Sequence, residues 1–456
     1  MSDTGTHKNP EYETAPPARV LGLFDATCIV IGAIVGVGIF FNPGKVAALC
    51  ETPQLALWTW VLAGGLALCG ALAFAELGRR FGASGAQYPI IKTAWGRLPA
   101  FVFVFCNATA VQAGAIGVIA IISTRNLAVA LGTEFTDFQQ LELASGLIFV
   151  VTAANVLGVK WGSRIQAVSV VCKIAALGCV IGMALWMSSR QQLNVGPQPT
   201  RPVESLHGWT GVIAGLVPAF FAYGGWQHAL WIAGEVKEPR RNLPRAILIG
   251  VAIVVVLYVG ANWAYLALLG HAEVVASETL AADAIEKGFG SVGRRWIAGA
   301  IAISAFGVLN AQLLSGPRLI YAMAKEGQFF EFFGRLGGPR LTPVAAIVML
   351  GAAGMGLLLA VGMNRADKLT VGVVFIDGVF FALTAAALLK PGFNVAGDAP
   401  LPLAKIAAAI FVLGELGVVS GAYLDKGTRD AAWIGLIWMG AAIVLFYGVF
   451  WKRGKA

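Results

Sequence analysis

The residues best suited to do chemistry in this chain are glycines. Residues 31–40, Ile-Gly-Ala-Ile-Val-Gly-Val-Gly-Ile-Phe, place Gly32, Gly36 and Gly38 within seven positions of a long apolar run. Each glycine costs a helix about 0.5–1 kcal/mol relative to alanine, so a helix opens readily here. Its N–H and C=O groups then lose their partners. In lipid this is tolerated only where the backbone is buried in protein or lines a cavity. A second interrupted stretch, Val-Pro-Ala-Phe-Phe-Ala-Tyr-Gly-Gly-Trp-Gln at 217–227, carries Pro218, Gly224 and Gly225. Freed N–H groups at the start of a half-helix suit a carboxylate, and freed carbonyls at the end of another suit an ammonium. A zwitterion offers both. Gly32 and Gly36 also form a GxxxG pair, whose ordinary reading is close helix packing. Packing alone leaves the second stretch unexplained.

Lys173 is the most telling ionisable residue. It lies in Ser-Val-Val-Cys-Lys-Ile-Ala-Ala-Leu-Gly, about eight residues or ~12 Å from the nearer end of its apolar run. Either it snorkels to the interface or it is an intramembrane functional charge. Asp377, in Val-Val-Phe-Ile-Asp-Gly-Val-Phe-Phe, has pairing or capping readings beside a proton-handling one. Asn107, Gln112 and Asn310 either line a pathway or join helices by hydrogen bonds. Glu76 sits near Arg79 and Arg80, Arg318 faces an inner vestibule or an acid, and His228 reads as packed rather than as a proton relay. No histidine cluster, nucleophile motif or metal-ligand spacing appears among four histidines and six cysteines, so neither an enzyme, a metal site, a cofactor nor a disulfide framework is expected.

These residues need membrane helices to hold them. Hydrophobic residues make up 58% of the 456 and charged residues 12%, against roughly 25% charged in soluble domains. Apolar runs at 20–49, 54–79, 98–131, 141–158, 165–187, 211–234, 246–269, 296–324, 343–362, 368–390, 402–424 and 430–451 predict twelve spans. The first run reads as a span and not as a cleaved signal peptide. The net charge of +9 is distributed as a membrane protein's, with arginine and lysine in alternate loops (Arg79, Arg80, Lys237, Arg240, Arg241) and acids in the others (Glu134, Asp137, Glu273, Glu286). The positive-inside bias then places both termini in the cytoplasm and argues against a nucleic-acid partner.

The two interrupted runs are the first and sixth, five spans apart. That spacing fits an inverted repeat of five plus five helices, with two more added. The predicted organisation is a disordered cytoplasmic tail at 1–18, a first repeat at 19–190, an outside loop at 191–210, a second repeat at 211–390, and two spans with a cytoplasmic end at 391–456. The outside segment 270–293 has helical composition and predicts a short surface helix.

The chain resembles the amino acid–polyamine–organocation superfamily, and within it the L-type amino acid transporter branch. The resemblance is carried by Gly-Ala-Ile-Val-Gly-Val-Gly-Ile-Phe at 32–40, Ala-Glu-Leu-Gly at 75–78, Gly-Ala-Ser-Gly-Ala-Gln-Tyr at 82–88, Phe-Ala-Tyr-Gly-Gly-Trp at 221–226, the charged 235–247 segment, and Ser-Gly-Pro-Arg-Leu-Ile-Tyr-Ala-Met-Ala-Lys-Glu-Gly at 315–327. It implies an all-α, twelve-span transporter of neutral amino acids that binds substrate between the two opened helices. The substrate carboxylate would meet backbone N–H groups of Val37 and Gly38, with Gly36 beside them among the substrate-binding residues. Its ammonium would meet carbonyls of Ile34, Phe221 and Gly224, beside Ala222, with Phe221 as a gate. Val37 stands where the branch commonly has serine. Lys173 resembles a substitute for a bound sodium ion, bridging the first span near Gly36 to the eighth.

The expected function is therefore sodium-independent exchange of neutral L-amino acids across the bacterial plasma membrane, with proton-coupled symport as the alternative. A major-facilitator transporter is disfavoured by the five-span spacing and by the absence of an Asp-Arg start in the loop Glu-Leu-Gly-Arg-Arg-Phe-Gly-Ala-Ser-Gly at 76–85. No filter-like loop suggests a channel. The loop around 131–140 lacks cysteine, so no disulfide-linked ancillary subunit is expected, and the chain reads as a monomer or weak oligomer in the bilayer.

Overall fold

The computed structural model describes residues 17–36, 38–190, 206–277, 279–337, 341–362, 366–393, 400–424 and 426–451. Val37, nearly all of the 1–18 tail and most of the 191–210 loop therefore lie outside the described residues. Those described are all-helical, with only isolated bridges such as Leu21 to Val236 and no strand.

The first apolar run is not one helix. It forms α1 (Leu23–Ile34) and α2 (Gly38–Leu49), bent by 42° at the glycine stretch. Next comes α3 (Pro53–Arg80). Thr52 caps it, its hydroxyl accepting from Leu55 N, and Pro53 occupies the first turn where no N–H is needed. A short helix, α4 (Gln87–Trp95), leads to α5 (Arg97–Cys106), a π-helical stretch over 107–112, and α6 (Ala113–Leu131). The third expected run thus continues through a widened turn that carries both Asn107 and Gln112. Helix α7 (Asp137–Val156) opens with a reciprocal Thr136–Gln139 capping box, and α8 (Val159–Ser189) follows after one turn.

The second interrupted run gives α9 (Trp209–Tyr223) and the one-turn α10 (His228–Trp231), which passes into a 3₁₀ turn at 233–235. Beyond it lie α11 (Pro239–Leu269), α12 (His271–Ala276) and α13 (Leu280–Ser315), which kinks at Gly290. The segment 270–293 is helical as expected, but more than a surface feature: Leu280, Ala281, Ala282, Ala284 and Ile285 are buried. A third interruption follows at Gly316, because Pro317 lacks an N–H and starts α14 (Pro317–Lys325). The chain ends with α15 (Val344–Val361), α16 (Ala366–Ala386), α17 (Pro402–Leu424) and α18 (Lys426–Leu445).

Among the described residues seven helical stretches are long and apolar enough to cross a bilayer, or eight if α1 and α2 form one broken span. The other four expected spans correspond to α7, α9, α15 and α16, of 20, 15, 18 and 21 residues. The molecule's outer face is apolar where lipid would lie. Phe149, Val256 and Val168 are each more than 60% exposed, which in water would be a liability. Inside, α1 packs on α11, α8 and α13, while α2 packs on α9. The two interrupted runs therefore meet at the centre of the bundle.

Candidate functional site

The two breaks touch through their backbones. Gly225 holds φ at +137°, and a methyl group there would stand 2.7 Å from the carbonyl carbon of Ala33 and 2.8 Å from the N of Ile34. Only glycine offers both that conformation and that closeness. On the other side of the break, a methyl group on Gly38 would come within 2.8 Å of Ala222 Cα. The end of α1 thus lies on the start of the second break, and the start of α2 lies on the last turn of α9.

Opening these helices strands specific carbonyls, and the structure shows where they go. In a continuous helix the Gly32 carbonyl would accept from Gly36 N. Here Lys173 Nζ, fully buried on α8, donates to it at 2.7 Å. Tyr258 Oη, fully buried on α11, likewise donates to the Ile34 carbonyl at 2.9 Å. On the other helix Gly224 N donates back to the Phe221 carbonyl at 3.2 Å, while Gly225 N turns to Gln227 Oε1 at 3.0 Å. A carbonyl oxygen has two lone pairs, so Ile34 and Phe221 each retain acceptor capacity. Ala222 is buried and Phe221 half-buried at the end of α9.

The contact of Lys173 falls at Gly32, one turn before the expected Gly36, because Gly32 is the carbonyl left over when the Gly36 N–H swings away. The lysine does not reach an interface, so snorkelling is not its role. Its stem lies against Gly307 of α13. A methyl group on Gly307 of α13 would meet Lys173 Cε at 3.5 Å and Ser169 Oγ at 1.7 Å, and Ser169 donates to the Ile303 carbonyl.

The remaining expected residues scatter. Asn310 is buried in a network that joins α7, α8 and α13: it donates to the Gly162 carbonyl at 2.8 Å and to Gln166 Oε1 at 3.2 Å, and accepts from Asn155 Nδ2 at 3.0 Å. Of its two readings, helix joining is the one the contacts match. Asn107 reaches Asp377 Oδ1 at 3.5 Å, across from α16. Gln112 is buried, with its Oε1 without a partner among the described residues. Glu76 binds both Arg79 and Arg80. Arg318 pairs with Glu235 at 2.9 Å, both buried. His228 is buried against Ser315 Oγ and the Trp231 ring, as a packed histidine would be.

Two elements of the site lay beyond the sequence reading. Tyr258 sits in the apolar run of α11 and carries no local mark of its long-range bond. Trp226 closes the second break, ringed by Phe74, Phe220, Phe381 and Phe411. Its neighbours come from four different helices, so only folding assembles them. Among the described residues no cluster of histidine, cysteine or acidic groups could hold a metal ion.

Comparisons with known proteins place the chain in a family. The family model described as "Amino acid permease" matches residues 21–450. The serine/threonine exchanger SteT of Bacillus subtilis is 29% identical over 408 residues, covering 87% of this chain and 91% of SteT. The b(0,+)-type amino acid transporter 1 of Mus musculus is 27% identical over 467 residues, 100% of this chain and 92% of that protein. The large neutral amino acids transporter small subunit 2 of Rattus norvegicus is 27% identical over 475 residues, 99% and 86% of the two chains. These relatives are transporters and not enzymes, and they extend from one end of the fold to the other. The chain belongs to the amino acid permease family of the amino acid–polyamine–organocation superfamily, in its L-type-transporter-like part.

Proposed function

We propose that this permease exchanges neutral L-amino acids across the plasma membrane without sodium, by alternating access around the paired breaks. Twelve spans in a five-plus-five inverted repeat plus two, with both termini cytoplasmic, is the architecture that goes with this reading. The observation that carries it is the contact of Lys173 with the Gly32 carbonyl. A fixed ammonium holds the cut end of α1 at the point where a bound cation would otherwise serve, so no sodium is called for. The free backbone of the two breaks then receives a zwitterion. The backbone N–H groups of Val37 and Gly38, where α2 begins, take the carboxylate, with Gly36 beside them. The carbonyls of Ile34, Phe221 and Gly224 take the ammonium, and the half-buried Phe221 closes over it. A short polar or small apolar side chain suits the reading, since SteT is named a serine/threonine exchanger.

A proton-coupled alternative draws on a different observation. Glu415 of α17, buried, brings Oε2 to 3.1 Å from where a methyl group on Gly378 would lie, next to Asp377. One experiment separates the two. Purified protein is reconstituted in proteoliposomes, and uptake of labelled serine, threonine, alanine and leucine is followed with internal amino acid present or absent, in sodium or choline, with and without a pH gradient. Exchange predicts uptake that needs internal substrate and is equal in sodium and choline. Concentrative uptake into empty vesicles driven by the pH gradient alone would replace exchange with symport, and sodium dependence would overturn both.

A further inference from the structure

A cavity of about 1150 Å³ lies apart from the breaks, at the end of the bundle that carries the basic loops. It shares no lining residue with either break. Its walls come from the chain before α1, the 82–84 loop after α3, Pro89 of α4, the stretch from Gly234 into the first turn of α11, and the end of α14. The charges around it do not balance. Glu238 is engaged by Arg241 at 3.7 Å, and Glu326 by Lys92. Arg19 and Arg240, both exposed on the rim, have no acidic partner among the described residues.

Deeper in the wall, Arg80 is nearly fully buried and commits only Nε to Glu76, at 2.9 Å. Its two terminal nitrogens have no hydrogen-bond partner among the described residues, and neither does the hydroxyl of Ser84 in the same wall. A buried guanidinium with idle N–H groups is costly unless something accepts from it. The fork geometry of arginine fits two oxygens of one tetrahedral anion.

We propose that this cavity binds a phosphate-type oxyanion, held by the fork of Arg80 and by Ser84, and drawn in by Arg19 and Arg240. The same chemistry is offered by the headgroup of an anionic phospholipid and by free inorganic phosphate. Arg79 and Arg80 end a membrane-crossing helix, at the depth where headgroups lie, and basic pockets at that level hold anionic lipids.

The test uses the full-length protein purified in neutral detergent. Phosphatidylglycerol is titrated and counted by native mass spectrometry, and inorganic phosphate is titrated in thermal unfolding. The variants are R19Q/R240Q on the rim, and R80K, which keeps the pair with Glu76 but removes the fork. K287Q, on α13 and paired with Glu273 away from the cavity, serves as control. Retention of phosphatidylglycerol about tenfold weaker in R19Q/R240Q and in R80K than in wild type and K287Q identifies a lipid headgroup. Phosphate stabilisation that is lost in the same two variants, with lipid binding unchanged, identifies free phosphate. Wild type and both variants indistinguishable toward both probes would overturn the site.

Discussion

At the residue scale, the centre of this protein is built from what side chains leave out and from the few that reach in. Gly225 and Gly38 allow two opened helices to touch through their backbones, and Lys173 and Tyr258 then cap the stranded carbonyls of Gly32 and Ile34. Gly225→Ala therefore meets both a crowded backbone and an unfavourable φ, a combination worth about 1–3 kcal/mol of overpacking with strain added. It should lower the unfolding temperature and abolish exchange, whereas Gly65→Ala, facing open space, should leave both unchanged; thermal unfolding and counterflow on the two variants check this. Lys173→Met keeps the length of the side chain and removes the donor. Uptake in proteoliposomes should fall at least tenfold, about the 1.4 kcal/mol of one lost charge-assisted bond, and full uptake in that variant would remove the lysine from the mechanism. The glycine stretch and Lys173 were both legible in the sequence, because a helix-breaking cluster and an isolated charge each violate a local rule of membrane helices. Tyr258 was not, since a tyrosine in an apolar helix breaks no rule.

At the scale of elements, the short α10 is fastened from several sides. Arg318 of α14 pairs with Glu235 in the 3₁₀ turn beyond it, and the Glu235 carbonyl accepts from Val20 and Leu21 ahead of α1. The 85–86 backbone donates to Trp231 and Leu230 carbonyls at 2.7 and 3.0 Å, and Gln87 bridges Trp231 Nε1 to Thr384. The half-helix after the second break is thus held by the start of the first run, by the 85–87 segment, by α14 and, through Gln87, by α16. Breaking the buried pair leaves one charge unmatched, at about 3–5 kcal/mol. Glu235→Gln and Arg318→Leu should each lower the unfolding temperature strongly, and the double variant Glu235→Leu/Arg318→Leu should recover much of the loss. Equal loss in all three would show that hydrogen bonds, not charge pairing, hold the element. The Gly316–Pro317 break between α13 and α14 was written in the sequence, but a continuous apolar pattern concealed it.

At the scale of the whole molecule, the connection between α11 and α13 returns to the first interrupted run. His271 of α12, buried, donates from Nε2 to the Ala47 carbonyl of α2 at 2.9 Å, so Nε2 carries a proton. Burial lowers its pKa below the usual 6.5, only partly offset by that carbonyl. The unfolded chain then takes up a proton at His271 as pH falls through about 6.5, while the folded one does not until lower pH. The contact's stability is present above that range and is lost on acidification. Unfolding temperatures at pH 7.5 and 5.5 should differ more for wild type than for His271→Gln, and an unchanged difference would place the acid sensitivity elsewhere.

The sequence alone determined the membrane class and the positions of both breaks, because hydropathy and helix propensity are local and are summed along the chain; the family came from the resemblance of its motifs. Composition marked the spans, and glycine and proline marked where they open. It could not say that the break in α1 would rest on the break after α9, or that a lysine on α8 and a tyrosine on α11 would meet two particular carbonyls. Nor could it separate Asn310, which ties α7 to α8 and α13, from a residue lining a path. Those outcomes depend on which helix faces pack together. Packing is decided by the shape of all the faces at once, so only the tertiary structure settled them.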